Sequence, residues 1–276
     1  MKKFLAIMLA LTFIFTLCAC NKTTDNGDET TNGDDKVQVS DKDYIVGKGE
    51  MIIGITYFEP MNYIDDNGDL AGFETEFAKA VCEELGVTAK FQEISWTAKE
   101  TELASKNIDC IWNGMTATAE REEAMSVSQH YMKNKQVLVM KADKAADVKN
   151  ADGLTIVAEK ESAGEEVATS DEFFAKANYI AVDTQSKALT EVKSGTADGC
   201  VVDYVCSIGM IGEGTDYADL VVVETEAFNE EEYGIAFRKG SDITAEVNKA
   251  IDTLINNGKL AEIARKYKLE EQIIVK

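Results

Sequence analysis

Residues 103–116, LASKNIDCIWNGMT, and residues 192–205, VKSGTADGCVVDYV, read as two versions of one unit. Each runs from the end of an amphipathic helix through a polar turn and an Asp into a short apolar stretch, then into polar residues at its far edge. An apolar stretch of this kind, bounded by polar turns and fed by a helix, suits a strand buried on both faces. Ligands of open α/β sheets gather at the carboxyl ends of such strands. The pair therefore predicts that Asn113 to Thr116 and Asp203 face one crevice from two lobes. The competing reading is that any two α/β units look this similar.

Outward from these segments, short β-type runs alternate with helical patterns, which indicates an α/β chain with largely parallel sheets. Strands are expected at Met51 to Thr56, Val87 to Glu93, Ile108 to Trp112, Gln136 to Lys141, Leu154 to Ala158, Tyr179 to Val182, Gly199 to Val202, Leu220 to Glu224 and Gly234 to Arg238. Asn67-Gly68, between Tyr63-Ile64 and Leu70, marks a hairpin. Phe73, Phe77, Ala80, Val81 and Leu85 keep helical spacing up to a stop at Gly86, and Ala98 to Ser105 reads as another helix. Ser162-Ala163-Gly164-Glu165 has capping-box spacing and should open a helix. Further helices are expected over Ser186 to Ser194, Tyr204 to Ile211, Ile243 to Asn257 and Leu260 to Tyr267.

Composition sets limits on function. The 276 residues carry 28 Lys plus Arg against 50 Asp plus Glu, a net charge of −22, which opposes nucleic-acid binding through phosphate neutralisation. A 45% hydrophobic content is enough to bury a core. The only His is His130 and the cysteines are irregularly spaced, so neither a metal site nor a cofactor is expected.

The N-terminus reads as an export signal over residues 1–19: Lys2 and Lys3 precede the apolar run Phe4 to Leu17, too short to span a bilayer. Leu17-Cys18-Ala19-Cys20 resembles the bacterial lipoprotein box, which implies lipidation at Cys20; the alternative is an ordinary small-residue cleavage site. Residues 20–43 then form a polar, flexible tether with almost no apolar side chain. Cys82, Cys110, Cys200 and Cys206 each sit among apolar residues, which favours buried free thiols over disulfides.

The order of these segments resembles the solute-binding proteins of polar amino-acid ABC importers, solute-binding protein family 3. The resemblance covers roughly residues 44–270, effectively the whole folded chain. It rests on GITYFEPMNYIDDNGDLAGFETEFAKAVCEELG at 54–86, on Trp96, on GMTATAER at 114–121, on SQHYM at 128–132 and on DGCVVD at 198–203. It implies an α/β chain of periplasmic-binding-protein type II fold, with two lobes and two hinge crossings near Lys135 and Glu230. The lobes would be residues 44–135 with 229–276, and residues 136–228. A monomer, lipid-anchored outside the cytoplasm, would close on a free amino acid, polar or cationic, and deliver it to a membrane permease without performing chemistry.

The resemblance also implies the roles of individual residues. Arg121 would clamp the ligand's α-carboxylate; otherwise it is a surface Arg in a Glu-flanked helix. Thr116 would hydrogen-bond ligand, Gly114 would let the main chain approach it, and Asn113 shares their segment. Asp203 would accept the α-ammonium; its bland reading is a helix N-cap before Tyr204. Ser162 would present its hydroxyl to the carboxylate or simply cap, since Glu161 stands where the family has Gly. Tyr57, Phe58 and Trp96 would enclose the ligand side chain, with Phe58 equally suited to the core. Glu59 at the pocket mouth would hint at a cationic ligand. The rival readings are an enzyme on the same fold, resembling dehydratases of prephenate-like acids with Glu59 or Glu161 as acid or base, and a ligand-sensing subunit.

Overall fold

The computed structural model describes residues 40–223 and 228–274. The expected leader, Cys20 and most of the tether lie outside the described residues. The order begins earlier than expected. Ser40 accepts the Asp43 N–H and caps a helix Asp41–Lys48. Arg238 grips Asp41 at 2.8 Å, and Lys48 reaches the buried Asp109 at 2.6 Å. Residues 40–43 are therefore part of the folded body. These charged contacts leave no apolar pattern to read.

Two sheets organise the chain. In the first, the order is Thr88–Glu93, Glu50–Ile55, Cys110–Ile111, Ala236–Phe237, Ser126–Val127. In the second it is Leu220–Val223, Met132–Lys141, Gly199–Asp203, Thr155–Glu159, Asn178–Val182, while Glu230–Tyr233 pairs with the start of Met132–Lys141. Each sheet holds one parallel set: 50–55 with its two neighbours, and 199–203, 155–159 and 178–182. The other pairings are antiparallel, which corrects the expectation of largely parallel sheets. The antiparallel members adjoin the two segments that pass between the sheets, and these pass without a crossover helix. Those segments pair with each other, with Lys135 opposite Glu230.

The helix Phe73–Glu84 buries Phe73, Phe77, Ala78, Val81 and Cys82. Phe77 packs edge-on against Trp112 at 5.1 Å and Tyr131 at 5.4 Å. Trp112 directly precedes Asn113, so this aromatic cluster fixes the strand end that opens into the predicted crevice. Cys82, Cys110, Cys200 and Cys206 are all buried free thiols. Among the described residues no helix is long and apolar enough to cross a membrane, and no group of His, Cys, Asp and Glu is arranged to hold a metal ion.

Candidate functional site

One small cavity brings together Phe58, Trp96, Asn113, Gly114, Thr116, Arg121, Ser162 and Asp203. The first six follow strands of the first sheet or the short helices beside it, and the last two come from the second. Tyr57 is not among the lining residues; the residue is 37% exposed, and its carbonyl accepts the Ser186 hydroxyl at 3.4 Å. Glu59, expected at the mouth, does not line the cavity either; partial burial, with some repulsion from Asp66, raises its pKa.

The strand end after Trp112 is held from behind. Asn113 exchanges hydrogen bonds with Thr56: its amide donates to the Thr56 carbonyl at 2.8 Å, and its oxygen accepts the Thr56 hydroxyl at 2.7 Å. The Gly114 N–H donates to both oxygens of buried Glu74, at 2.9 and 3.0 Å. Glu74 also accepts from Asn62 at 3.0 Å and from the Tyr131 hydroxyl. Burial pushes its carboxyl up to about 7, against the pull of those donors. Gly114 itself sits at φ 53°, and a Cβ there would come within 2.8 Å of the Phe58 ring. No other residue satisfies both conditions.

Arg121 lies in the helix Ala119–Ala124, whose first turn Thr118 caps. Its guanidinium donates to the Thr116 carbonyl at 2.9 Å and to the Glu161 carbonyl at 3.3 Å, and it lies over the Trp96 ring at 5.9 Å. Burial lowers its pKa, while Glu231 and Asp203 oppose the shift, and an arginine stays charged throughout. Trp96 also donates its indole N–H to the Glu161 carbonyl, at 3.1 Å. One carbonyl of the second sheet's side thus receives two side chains from the first.

Glu161 holds this position in a left-handed conformation, φ 59°. The backbone therefore keeps the geometry that suits Gly, at a cost of about 1 kcal/mol for a residue with a Cβ. Glu161→Gly is expected to raise the thermal midpoint by a few degrees in calorimetry, since 1 kcal/mol shifts it by about 2–4 °C in a domain of this size. Affinity should change less than about threefold, because the carbonyl is retained. Ser162 serves as the N-cap of the helix Ala163–Ser170: its hydroxyl accepts the Glu165 N–H at 3.1 Å and donates to the Glu159 carbonyl at 2.7 Å. The first N–H groups of that helix have no intrahelical acceptor, and Ala163 is in the cavity wall.

Asp203 occupies the N-cap position before Tyr204, yet its side chain does not cap. It accepts instead from Asn134 at 2.7 Å, from Gln136 at 2.6 Å and from Gln185, and its N–H donates to the Gln185 oxygen at 2.9 Å. Burial raises its pKa, and the amide donors counter that shift.

Two polar lining residues were absent from the sequence reading, Glu159 and Gln185. Glu159 ends the strand Thr155–Glu159, one residue beyond the expected boundary. It is 4% exposed and its Oε1 has no hydrogen-bond partner among the described residues. Burial pushes its carboxyl up to about 8, aided by repulsion from Asp203 and opposed by Lys99. The signal that would have found it is the one used for Asp203, a polar residue at the carboxyl end of a buried strand.

The chain is 28% identical over 273 residues to an arginine-binding extracellular protein of Bacillus subtilis, covering 97% of this chain and 98% of that protein. A substrate-binding protein of an ABC uptake transporter from Streptococcus pneumoniae, solved with bound histidine, superposes with TM-score 0.74 at 31% identity, over 83% of this chain and 96% of that one. An ancestral amino acid-binding protein, a precursor of cyclohexadienyl dehydratase, gives TM-score 0.72 at 28% identity, over 83% and 99%. The two-sheet architecture is the type II periplasmic-binding fold of these neighbours. Residues 51–270 match the corresponding family model, and the chain belongs to the bacterial extracellular solute-binding proteins, family 3.

Proposed function

We propose that this protein captures a free amino acid between two lobes and hands it to an ABC-type permease. The observation that carries this reading is a single cavity lined by a guanidinium, Arg121, and a carboxylate, Asp203, from opposite sides. That is the charge pattern of a zwitterion reversed. The α-carboxylate would lie against Arg121 and the open start of the helix at Ala163, where charge and N–H donors both favour an anion. The ammonium would lie against Asp203 and Thr116, while Phe58 and Trp96 enclose the side chain. Residues 44–135 with 229–276 would form one lobe and 136–228 the other, rotating about the paired strands at Lys135 and Glu230, with ligand shifting the population towards closure.

Glu159 narrows the ligand within the polar and cationic class. Its unpartnered buried oxygen calls for a donor, and a cationic side chain would supply both donor and charge. Glu159→Gln is expected to weaken L-arginine binding by about tenfold or more while changing L-glutamine binding by less than about threefold, measured by calorimetry. Equal losses for both would remove the assignment.

A thermal-shift screen of the protein amino acids and L-cystine tests the function as a whole. A ligand at a hundred times its dissociation constant adds about 2.7 kcal/mol of stability, so a specific ligand stands out clearly. No shift with any of them would overturn the reading. Catalysis has one observation in its favour, a Glu159 carboxyl pushed up to about 8 inside the cavity. Incubation with a cyclohexadienyl acid should return it unchanged; a dehydrated product would establish the enzyme reading instead. Attachment through lipidated Cys20, holding a monomer on the extracytoplasmic face of the cell membrane, completes the proposal, and mass spectrometry of the mature N-terminus checks it.

A further inference from the structure

Behind the ammonium end of the cavity lies a cluster that none of the expected site residues includes. Glu231, on the returning strand Glu230–Tyr233, sits opposite Asn134 on the outgoing strand, with Gln136 two residues further on. None of the three lines the cavity. The Glu231 Oε1 accepts from the Thr116 hydroxyl at 2.9 Å, from Asn134 at 2.5 Å and from Gln136 at 2.8 Å. Each of the two amide nitrogens also donates to the Asp203 Oδ1. Both hydrogens of both amides are thus used, one on each carboxylate.

Burial, with repulsion from Asp203, raises the Glu231 carboxyl to about 7, and in its carboxylate form the single oxygen on which these three groups converge can only accept. The Thr116 hydroxyl must then be the donor in this contact. Its hydrogen is committed away from the cavity, and only its lone pairs remain for a ligand. Left free, a threonine hydroxyl could equally donate to a carboxylate. The Thr116 carbonyl meanwhile holds the Arg121 guanidinium, so this one residue has its donor and acceptor sides sorted towards opposite ends of the cavity.

We infer that Glu231 is a positioning residue: through Thr116 it fixes the polarity of the ammonium end, and it does so from the strand pair that joins the two sheets. This deepens the amino-acid reading and rests on it. Asp203 and Thr116, the two acceptors for the ammonium, are both anchored on the crossing strands. The ammonium site is consequently assembled only when those strands hold the register seen here.

The test uses the full mature chain and the member of the thermal-shift panel, the twenty protein amino acids and L-cystine, that gives the largest shift. Glu231→Leu should lower its affinity by about tenfold or more, whereas Glu231→Gln, which keeps an acceptor oxygen at the same reach, should stay within about threefold. In a Thr116→Val background, Glu231→Leu should add less than about threefold, because the hydroxyl it orients is already gone. Equal losses in the Gln and Leu variants would overturn the inference, since the charge and not the orientation would then matter. So would an undiminished Glu231→Leu loss in the Thr116→Val background. Glu231→Met replaces Glu231→Leu if the latter does not fold. Wild-type protein that binds no panel member would overturn the amino-acid reading itself, and this inference with it.

Discussion

Arg121→Ala is expected to reduce amino-acid affinity by about a hundredfold, with the ligand-free protein as stable as before to within about 0.5 kcal/mol. The asymmetry follows from what the guanidinium touches. Its protein contacts are two carbonyls, those of Thr116 and Glu161, and the face of Trp96, and the Glu161 carbonyl keeps its bond from Trp96 when the guanidinium is removed. A carboxylate brought into this enclosed space without Arg121 would be a buried charge lacking its main partner, and truncating one member of such a pair costs about 2–5 kcal/mol. Arg121→Lys should recover little, because an ammonium cannot reach the Thr116 carbonyl, the Glu161 carbonyl and a ligand carboxylate in one plane. Isothermal titration together with unfolding of the ligand-free variant checks both halves. Unchanged affinity would remove the central assignment, and a large loss of ligand-free stability would make Arg121 a structural residue.

How much of this was legible in the sequence depends on where apolar burial and function coincide. The strands Gly199–Asp203 and Thr155–Glu159 and the helix Phe73–Glu84 are written in apolar side chains, so periodicity finds them nearly to the residue. Asn113 to Thr116 and Asp203 were expected at the cavity because each follows a short apolar strand, whereas Arg121 and Trp96 were singled out only by the resemblance to the family. The strand Glu230–Tyr233 was missed for the opposite reason. Its sequence, EEEY, offers no apolar signal, and the partner strand was expected only from Gln136 although it starts at Met132. Beside the buried Met132 and Tyr233, this strand pair buries Asn134 and Gln136 and half-buries Glu231, polar groups that offset desolvation by bonding one another. Periodicity of hydrophobic residues does not detect a strand pair held largely by amides and carboxylates. The region hardest to read is therefore the one that joins the two sheets and backs the ligand's ammonium end.

Gly209→Ala is the second change with a large expected effect, and it acts on closure, not on a ligand contact. Gly209 lies in the helix Tyr204–Met210, directly after the strand carrying Asp203. A Cβ built at Gly209 would lie 2.6 Å from the Pro60 nitrogen and from its Cδ, and 2.8 Å from the Glu59 carbonyl carbon. Those atoms belong to the segment that follows Phe58 on the far side of the cavity. They include backbone, which cannot swing aside as a long side chain would. In the arrangement seen here, the closed form of the proposed mechanism, the extra methyl group is overpacked by about 1–3 kcal/mol. Were the lobes to part as proposed above, the same methyl would leave these Pro60 and Glu59 atoms, and Ala in place of Gly favours the helix by up to about 1 kcal/mol. The substitution therefore stabilises the open form slightly while penalising the closed one. Apparent affinity scales with the fraction of molecules able to close, so it should fall by about tenfold to a few hundredfold. The ligand-free thermal midpoint should hold or rise. Titration calorimetry and small-angle scattering with and without ligand distinguish the outcomes. A ligand-free midpoint that drops along with affinity would mean that Gly209 supports the fold and not the closure, and unchanged affinity would mean that ligand is held without the two sides meeting at Pro60.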